Sequence, residues 1–304
     1  MALLSEYRCP IMGKTLTATL MQTPPSWRQT VFAFFADGKQ ALRNVVHHRD
    51  LLWQMVGNDL RGRYVGSFLG LFWNVIHPLI QILIYTVVFS QLMGARLGGS
   101  SSSSPYAFGI YLCAGLLPWG VFTEIINRCT GVFWENANLV KKIAFPKTLL
   151  YAYVVTASVT NLSIIVAVFL VFLWFVNALP PLVVLLVWGG FLLLQVLFAT
   201  GVGLFTSVLN VFFRDVAQLT AIFLQIWFWL TPIVYVPSVL PPWAVDVLPL
   251  NIMARFTSIH QALVLRNELP SVSESFFLAQ ITLGTLVLGT LCFQALRRRI
   301  PDEL

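Results

Sequence analysis

The sequence predicts an all-α integral membrane protein. It has six transmembrane helices, an N-terminal amphipathic helix at the membrane interface, and re-entrant helices on the outer side between spans five and six. Three observations lead there. Of 304 residues, 58% are hydrophobic and only 10% are charged, where soluble domains carry about 25%. Acidic and basic residues are confined to short intervals, and the stretches between them match the ~20 apolar residues that cross a bilayer. With the N-terminus in the cytoplasm, just three of the 19 lysines and arginines, Arg96, Arg255 and Arg266, fall outside. That bias places both termini in the cytoplasm.

The same distribution excludes other classes. A net charge of +7 would suit nucleic acid if it were gathered on one face, but the basic residues sit at the ends of apolar spans. Cys9, Cys113, Cys129 and Cys292 form no CxxC pair, so neither a disulfide framework nor a zinc site is expected. Gly13-Lys14-Thr15 lacks the glycine that a phosphate loop needs five residues earlier, where Arg8 stands. No short apolar stretch ending in a cleavage site opens the chain, so no secretory signal is expected.

Taken in order, residues 1–47 are mixed and polar, with Pro10, Pro24 and Pro25, and are expected to form a cytoplasmic arm. A short surface helix is expected from Ser26. Residues 48–66 are amphipathic: Leu52, Trp53, Val56, Leu60 and Tyr64 share one side, and Asp50, Gln54, Asn58 and Arg61 the other. Tryptophan on the apolar face and arginine on the polar face suit a helix lying in the interface plane. Stretches without Asp, Glu, Lys or Arg then mark the spans: Tyr64–Ala95, Leu97–Thr123, Thr148–Phe213, Val216–Val245 and Ser275–Leu296. Each charge at a span centre would cost about 2.5–3.5 kcal/mol, which is why the gaps are informative. Asn177-Ala178-Leu179-Pro180-Pro181 divides the long third stretch in two. The expected spans are 67–94, 106–127, 149–176, 182–209, 216–236 and 276–296, within a six-span domain 67–298 that leaves 299–304 as a cytoplasmic tail. Between spans five and six, two short helices are expected near Trp243–Leu248 and Ile252–Leu265, dipping into the outer leaflet. Arg128–Lys147 is expected to be an inner loop carrying a short helix from Asn136 to Ile143, stopped before Pro146. His77, before Pro78, is expected to bond a backbone group that the proline frees.

Asp59-Leu60-Arg61-x-Arg63-Tyr64-x-x-Ser67-x-Leu69-Gly70-x-x-Trp73 resembles the entry segment of the permeases of polysaccharide ABC exporters, which move O-antigen, capsule or teichoic acid chains. The resemblance extends over roughly residues 48 to 298. In that family the inner loop between spans two and three is the coupling helix that docks on the ATPase. Asn136-Ala137-Asn138-Leu139-Val140-Lys141-Lys142-Ile143-Ala144-Phe145-Pro146 is similar to it. The family also carries an Arg-Asp pair at the next inner turn, here Arg214-Asp215, which implies a second, smaller ATPase contact. Re-entrant helices close its channel on the outer side. Many members have Asn-Pro where this chain has Asn251-Ile252.

The resemblance implies a homodimer with the channel at its interface, bound to two copies of a cytoplasmic ABC ATPase. ATP and magnesium would sit on that partner, since this chain carries no nucleotide motif and no cofactor of its own. The implied cargo is a polyprenyl-pyrophosphate-linked polysaccharide, with lipopolysaccharide O-antigen the first choice, crossing the bacterial inner membrane. Arg61, Arg63 and Tyr64 lie where the interface helix meets span one, and guanidinium forks suit a pyrophosphate. Phe68, Phe72 and Trp73, and in span five Phe223 and Trp227, are candidates for a path on which sugar rings stack. Two other classes stay open: a membrane-embedded enzyme of polyprenyl-linked glycan assembly, for which Asp59 and Glu135 are the available acids, and a passive channel.

Overall fold

Every regular element among the described residues is helical. The computed structural model describes residues 43, 45–63, 67–68, 70–87, 106–142, 146–297 and 299–304. The expectations for most of the arm, for Tyr64, for the loop around Gly98 and for Phe145 lie outside these residues. The helices are α1 (Arg49–Gly62), α2 (Trp73–Ile84), α3 (Ala107–Glu135), α4 (Ala137–Lys142), α5 (Thr148–Phe175) and α6 (Leu182–Phe212). They continue with α7 (Val216–Leu230), α8 (Pro242–Val247), α9 (Ile252–Gln261), α10 (Val272–Leu296) and α11 (Ile300–Glu303).

Among the described residues four helices, α3, α5, α6 and α10, are long and apolar enough to cross a membrane. They overlap the segments expected as spans two, three, four and six. In the segment expected as span one, apolar helix covers Trp73–Val87, and residues 88–94 lie outside the described ones; in span five it covers Val216–Leu230, shorter than expected. In the first, a 3₁₀ turn over Gly70–Phe72 precedes α2. In the second, α7 stops six residues before the expected end at 236, because Thr231 precedes Pro232 and is driven out of the helical region to φ −103, ψ 131.

The second span also differs from expectation. α3 does not end at 127 but runs on to Glu135, so residues 128–135 are helix and not loop. Nothing in that segment breaks a helix until Asn136, whose side-chain amide bonds back to the Val132 carbonyl at 2.9 Å. The expected short helix follows at once as α4.

The break between α5 and α6 falls where expected. Asn177 takes a left-handed φ of 54, which asparagine tolerates better than most residues. The Ala178 N–H then closes on the Leu173 carbonyl at 2.9 Å, and Pro181 leads into α6 in an extended conformation.

α3 and α6 form the centre of the bundle. Most of α3 is buried, and its long contact with α6 is drawn close where a Cβ on Gly203 would lie 2.7 Å from the Cys129 Cβ. α10 packs on the other side of α6, crossing at Gly201 and Gly289; a Cβ on Gly289 would lie 2.5 Å from the Gly201 carbonyl oxygen. Small residues that let helix backbones approach are the usual device where lipid removes the hydrophobic drive for association. α5 packs on α3, and α1 and α2 lie against α5. By contrast α7 buries only Leu224, and α10 only Leu278, Thr282, Gly289 and Phe293. Much of their remaining apolar surface is exposed, including Leu219, Ile222, Phe223, Ile226 and Trp229 on α7 and Phe276, Leu283 and Leu288 on α10.

Candidate functional site

α1 carries the first group of candidate residues. Leu52 and Val56 of its apolar side are buried, while Trp53 is exposed. At its C-terminal end Asp59 and Arg63, one turn apart, pair at 3.3 Å. Glu124 and Arg128 stand at the same i, i+4 spacing on α3, with 3.5 Å between their nearest charged atoms. The two pairs meet. Arg63 Nη2 donates to Glu124 Oε1 at 2.6 Å, and Arg128 Nη2 donates to Asp59 Oδ1. The four side chains therefore close a ring in which acid and base alternate: Asp59, Arg63, Glu124, Arg128. α5 completes it, since Asn161 Nδ2 donates to Glu124 Oε2 at 3.0 Å and the Ser158 hydroxyl to Oε1 at 3.3 Å. Burial alone would lower the pKa of Arg63, but the hydrogen bond and charge of Glu124, with Asp59, outweigh it and hold the guanidinium above its ordinary value.

Arg61, in the last turn of α1, is exposed. The two arginines expected to act together are thus in different settings, Arg63 committed to two carboxylates and Arg61 facing out. Glu124 and Arg128 were not expected in any site. The signal was present: an acid and a base one turn apart inside a long apolar helix, where an ionisable residue is costly unless it is paired or functional.

The second group gathers where α3 ends. Trp134 donates from Nε1 to the Asn210 carbonyl at 3.0 Å, and the Arg214 guanidinium lies 4.4 Å above its ring centre. Asn210 is buried; its amide donates to the Thr130 carbonyl at 2.9 Å, and its Oδ1 accepts from the Ala217 N–H at 3.0 Å. The turn holding Arg214 and Asp215 is therefore fastened to the final turns of α3. Asp215 is exposed at the start of α7 and makes no side-chain cap. Asn136 joins α3 to α4 and reaches Tyr153 Oη at 3.5 Å. Asn138 and Lys141 project from α4 into solvent, and the Lys142 side chain lies outside the described residues. Sequence reading missed Trp134 and Asn210, because each looks like an ordinary residue of an interface or a helix end.

The aromatic candidates divide. Phe68 and Phe72 are exposed, and Trp73 is half-buried. Phe223 is exposed and stacks at 5.2 Å, tilted, on Trp227. Trp227 is packed among Trp119 and Phe122, and its indole N–H donates to Asn251 Oδ1 at 2.8 Å. Among the described residues no ring contact joins the 68–73 group to Phe223 and Trp227.

At that far end α8 and α9 match the two expected short helices. Asn251 starts α9 without a following proline: its Oδ1 accepts from the Met253 and Ala254 N–H groups. Its amide also donates to the Leu230 carbonyl and the Thr231 hydroxyl, so one side chain closes α7 and opens α9. His260, buried on α9, shares a 2.7 Å hydrogen bond with Gln195 of α6. His77 is exposed and makes no hydrogen bond among the described residues, unlike the backbone contact expected of it.

These features define a polytopic helical membrane protein whose paired charges and basic turns gather at the ends of its apolar helices. The chain belongs to the ABC-2 type transporter family, whose model matches residues 50–264. It is 25% identical over 273 residues to the O-antigen export system permease protein RfbA of Myxococcus xanthus, covering 86% of this chain and 98% of that protein. It is 31% identical over 209 residues to the protein of the same name in Klebsiella pneumoniae, covering 67% of this chain and 77% of the relative. The polysialic acid transport protein KpsM of Escherichia coli is 24% identical over 238 residues, 76% of this chain and 87% of that protein.

Proposed function

We propose that this chain is the channel-forming transmembrane subunit of an ATP-driven exporter that carries a polyprenyl-pyrophosphate-linked polysaccharide, O-antigen in the first instance, across the bacterial inner membrane. One observation carries the reading beyond family membership. α3 is a single helix of 29 residues, about 44 Å at ~1.5 Å per residue, longer than the ~30 Å hydrocarbon core. It reaches past the membrane and is joined there, through Asn136, to α4 and, through Trp134, to the Arg214 turn. That arrangement suits a rod transmitting force from a soluble ATPase to the membrane interior.

In this reading α2 and α7 are spans one and five, both termini are cytoplasmic, and α8 and α9 re-enter the outer leaflet. Two copies of the chain meet along the exposed faces of α2 and α7. Phe68, Phe72, Trp73 and Phe223 then line the sugar path, and Trp227 sets the position of Phe223. α4, with Asn136, Asn138, Lys141 and Lys142, is the main ATPase contact, and Arg214 with Asp215 the second. ATP and magnesium are bound by the partner. Arg61, with the outer edge of Arg63, receives the pyrophosphate beside Tyr64. The enzyme alternative is not favoured: of its two acids, Asp59 is held by two arginines, which suits neither a general base nor a metal ligand, and Glu135 stands apart, exposed at the end of α3.

The test is purification of the tagged chain from its native membrane in mild detergent. A soluble ABC ATPase is expected to accompany it in equal amount. A chain that purifies alone and transfers sugar to a polyprenyl acceptor would overturn the proposal.

A further inference from the structure

The ring of Asp59, Arg63, Glu124 and Arg128 ties the C-terminal end of α1 to α3. The apolar hold on α1 is narrow: Leu52 and Val56 are buried and Met55 and Leu60 half-buried beside them, against α5. Alternation is what makes the ring cohere. Each carboxylate touches both arginines and each arginine both carboxylates, so every neighbouring contact is attractive and the net charge is zero. The ring is not sealed either: each side chain keeps between 19% and 26% of its surface exposed. An ion pair locked in a dry core is very costly to separate, but one that water reaches can open and close. Asn161 and Ser158 of α5 also hold Glu124, so the carboxylate that receives Arg63 is fixed by two spans.

We propose that Glu124 and Arg128 are positioning residues for substrate entry. With Asp59 and Arg63 they form a charge latch that holds the end of α1 against α3 and releases it when the lipid-linked substrate passes. The mode of entry rests on the export function proposed above; the latch itself does not. Because Arg128 lies on the same helix as Trp134 and Asn136, movement at the ATPase contacts reaches the latch along fewer than three turns of α3.

The alternation supplies the experiment. Inverting α1 alone (Asp59→Arg with Arg63→Asp) or α3 alone (Glu124→Arg with Arg128→Glu) keeps each helix's own i, i+4 pair and the total charge. The topology signal is therefore conserved, but every contact between the helices becomes repulsive. Inverting all four restores alternation. Amide hydrogen exchange of residues 49–62 is read on the full chain in nanodiscs, and surface glycan is read in cells. Either helix inversion is expected to speed exchange about tenfold and to lower surface glycan about tenfold. The fourfold inversion is expected to recover most of both. Helix inversions that exchange like the parent, or a fourfold inversion that exchanges as fast as they do, overturn the latch. Restored exchange with no change in glycan in any variant keeps the latch and overturns its role in export. If an inverted helix fails to insert, Asp59→Asn and Arg128→Gln carry the same test. The latch predicts a combined effect smaller than the product of the two single effects, and simple multiplication contradicts it.

Discussion

At Arg63 one guanidinium bridges Asp59 on its own helix and Glu124 on α3. A lysine there keeps the charge but has no fork with which to span both. Arg61 faces out and is expected to meet substrate directly. Both Arg→Lys variants should therefore lower export by roughly an order of magnitude at normal membrane levels, with only Arg63→Lys loosening α1 in hydrogen exchange. Two variants that export like the parent would reduce these arginines to orientation signals. Lys141 and Lys142 give a second residue-scale prediction. Reversing both charges should lower transport-linked ATP hydrolysis severalfold while the chain still inserts; normal export would make the segment a topology signal alone. Arg61, Arg63 and the lysines were legible because basic residues at a span boundary stand out against an apolar background. Glu124 was not, because it stands just past a charge-free stretch ending at Thr123 and looks like a charge at the end of a span, and its pairing across to Arg63 leaves no trace in local sequence.

Among the elements, the crossing of α6 and α10 is the most tightly determined by its residues. Gly289→Ala would place a methyl against the Gly201 carbonyl, where backbone must move; such overpacking costs about 1–3 kcal/mol. A lower thermal midpoint in detergent, without change in Gly284→Ala, where a Cβ meets nothing within 4 Å, would bear this out. Equal midpoints for the two would contradict it. Asn251→Ala removes the α9 cap and the partner of Trp227 together. A cap alone is worth ~1 kcal/mol, so a larger loss is expected, read by the same melting measurement. The helix break at Asn177 was legible from the asparagine and prolines around it, whereas the one at Thr231 was not, because Pro232 sits alone inside an otherwise apolar stretch. The length of α3 beyond 127 was not legible, because Arg128 looks like a loop charge until its partner Asp59 on α1 is known.

For the whole molecule, the membrane class follows from composition, and the order of helices from the spacing of charges. Which outward apolar faces meet lipid and which meet a second copy does not follow, since both favour the same side chains on α7 and α10. Orientation is testable with single cysteines in a background lacking the native ones. In intact cells an impermeant reagent should label Ser101→Cys and not Asn138→Cys, and the reverse pattern would invert the topology. The central claim, ATP-driven export through this chain, is tested most directly in inside-out membrane vesicles loaded with the lipid-linked polysaccharide on their outer face. Addition of ATP should move the glycan into the lumen, where it is protected from an added glycosidase, and vesicles lacking this chain should show no protection. Protection that arises equally without ATP, or equally without the chain, would contradict the account.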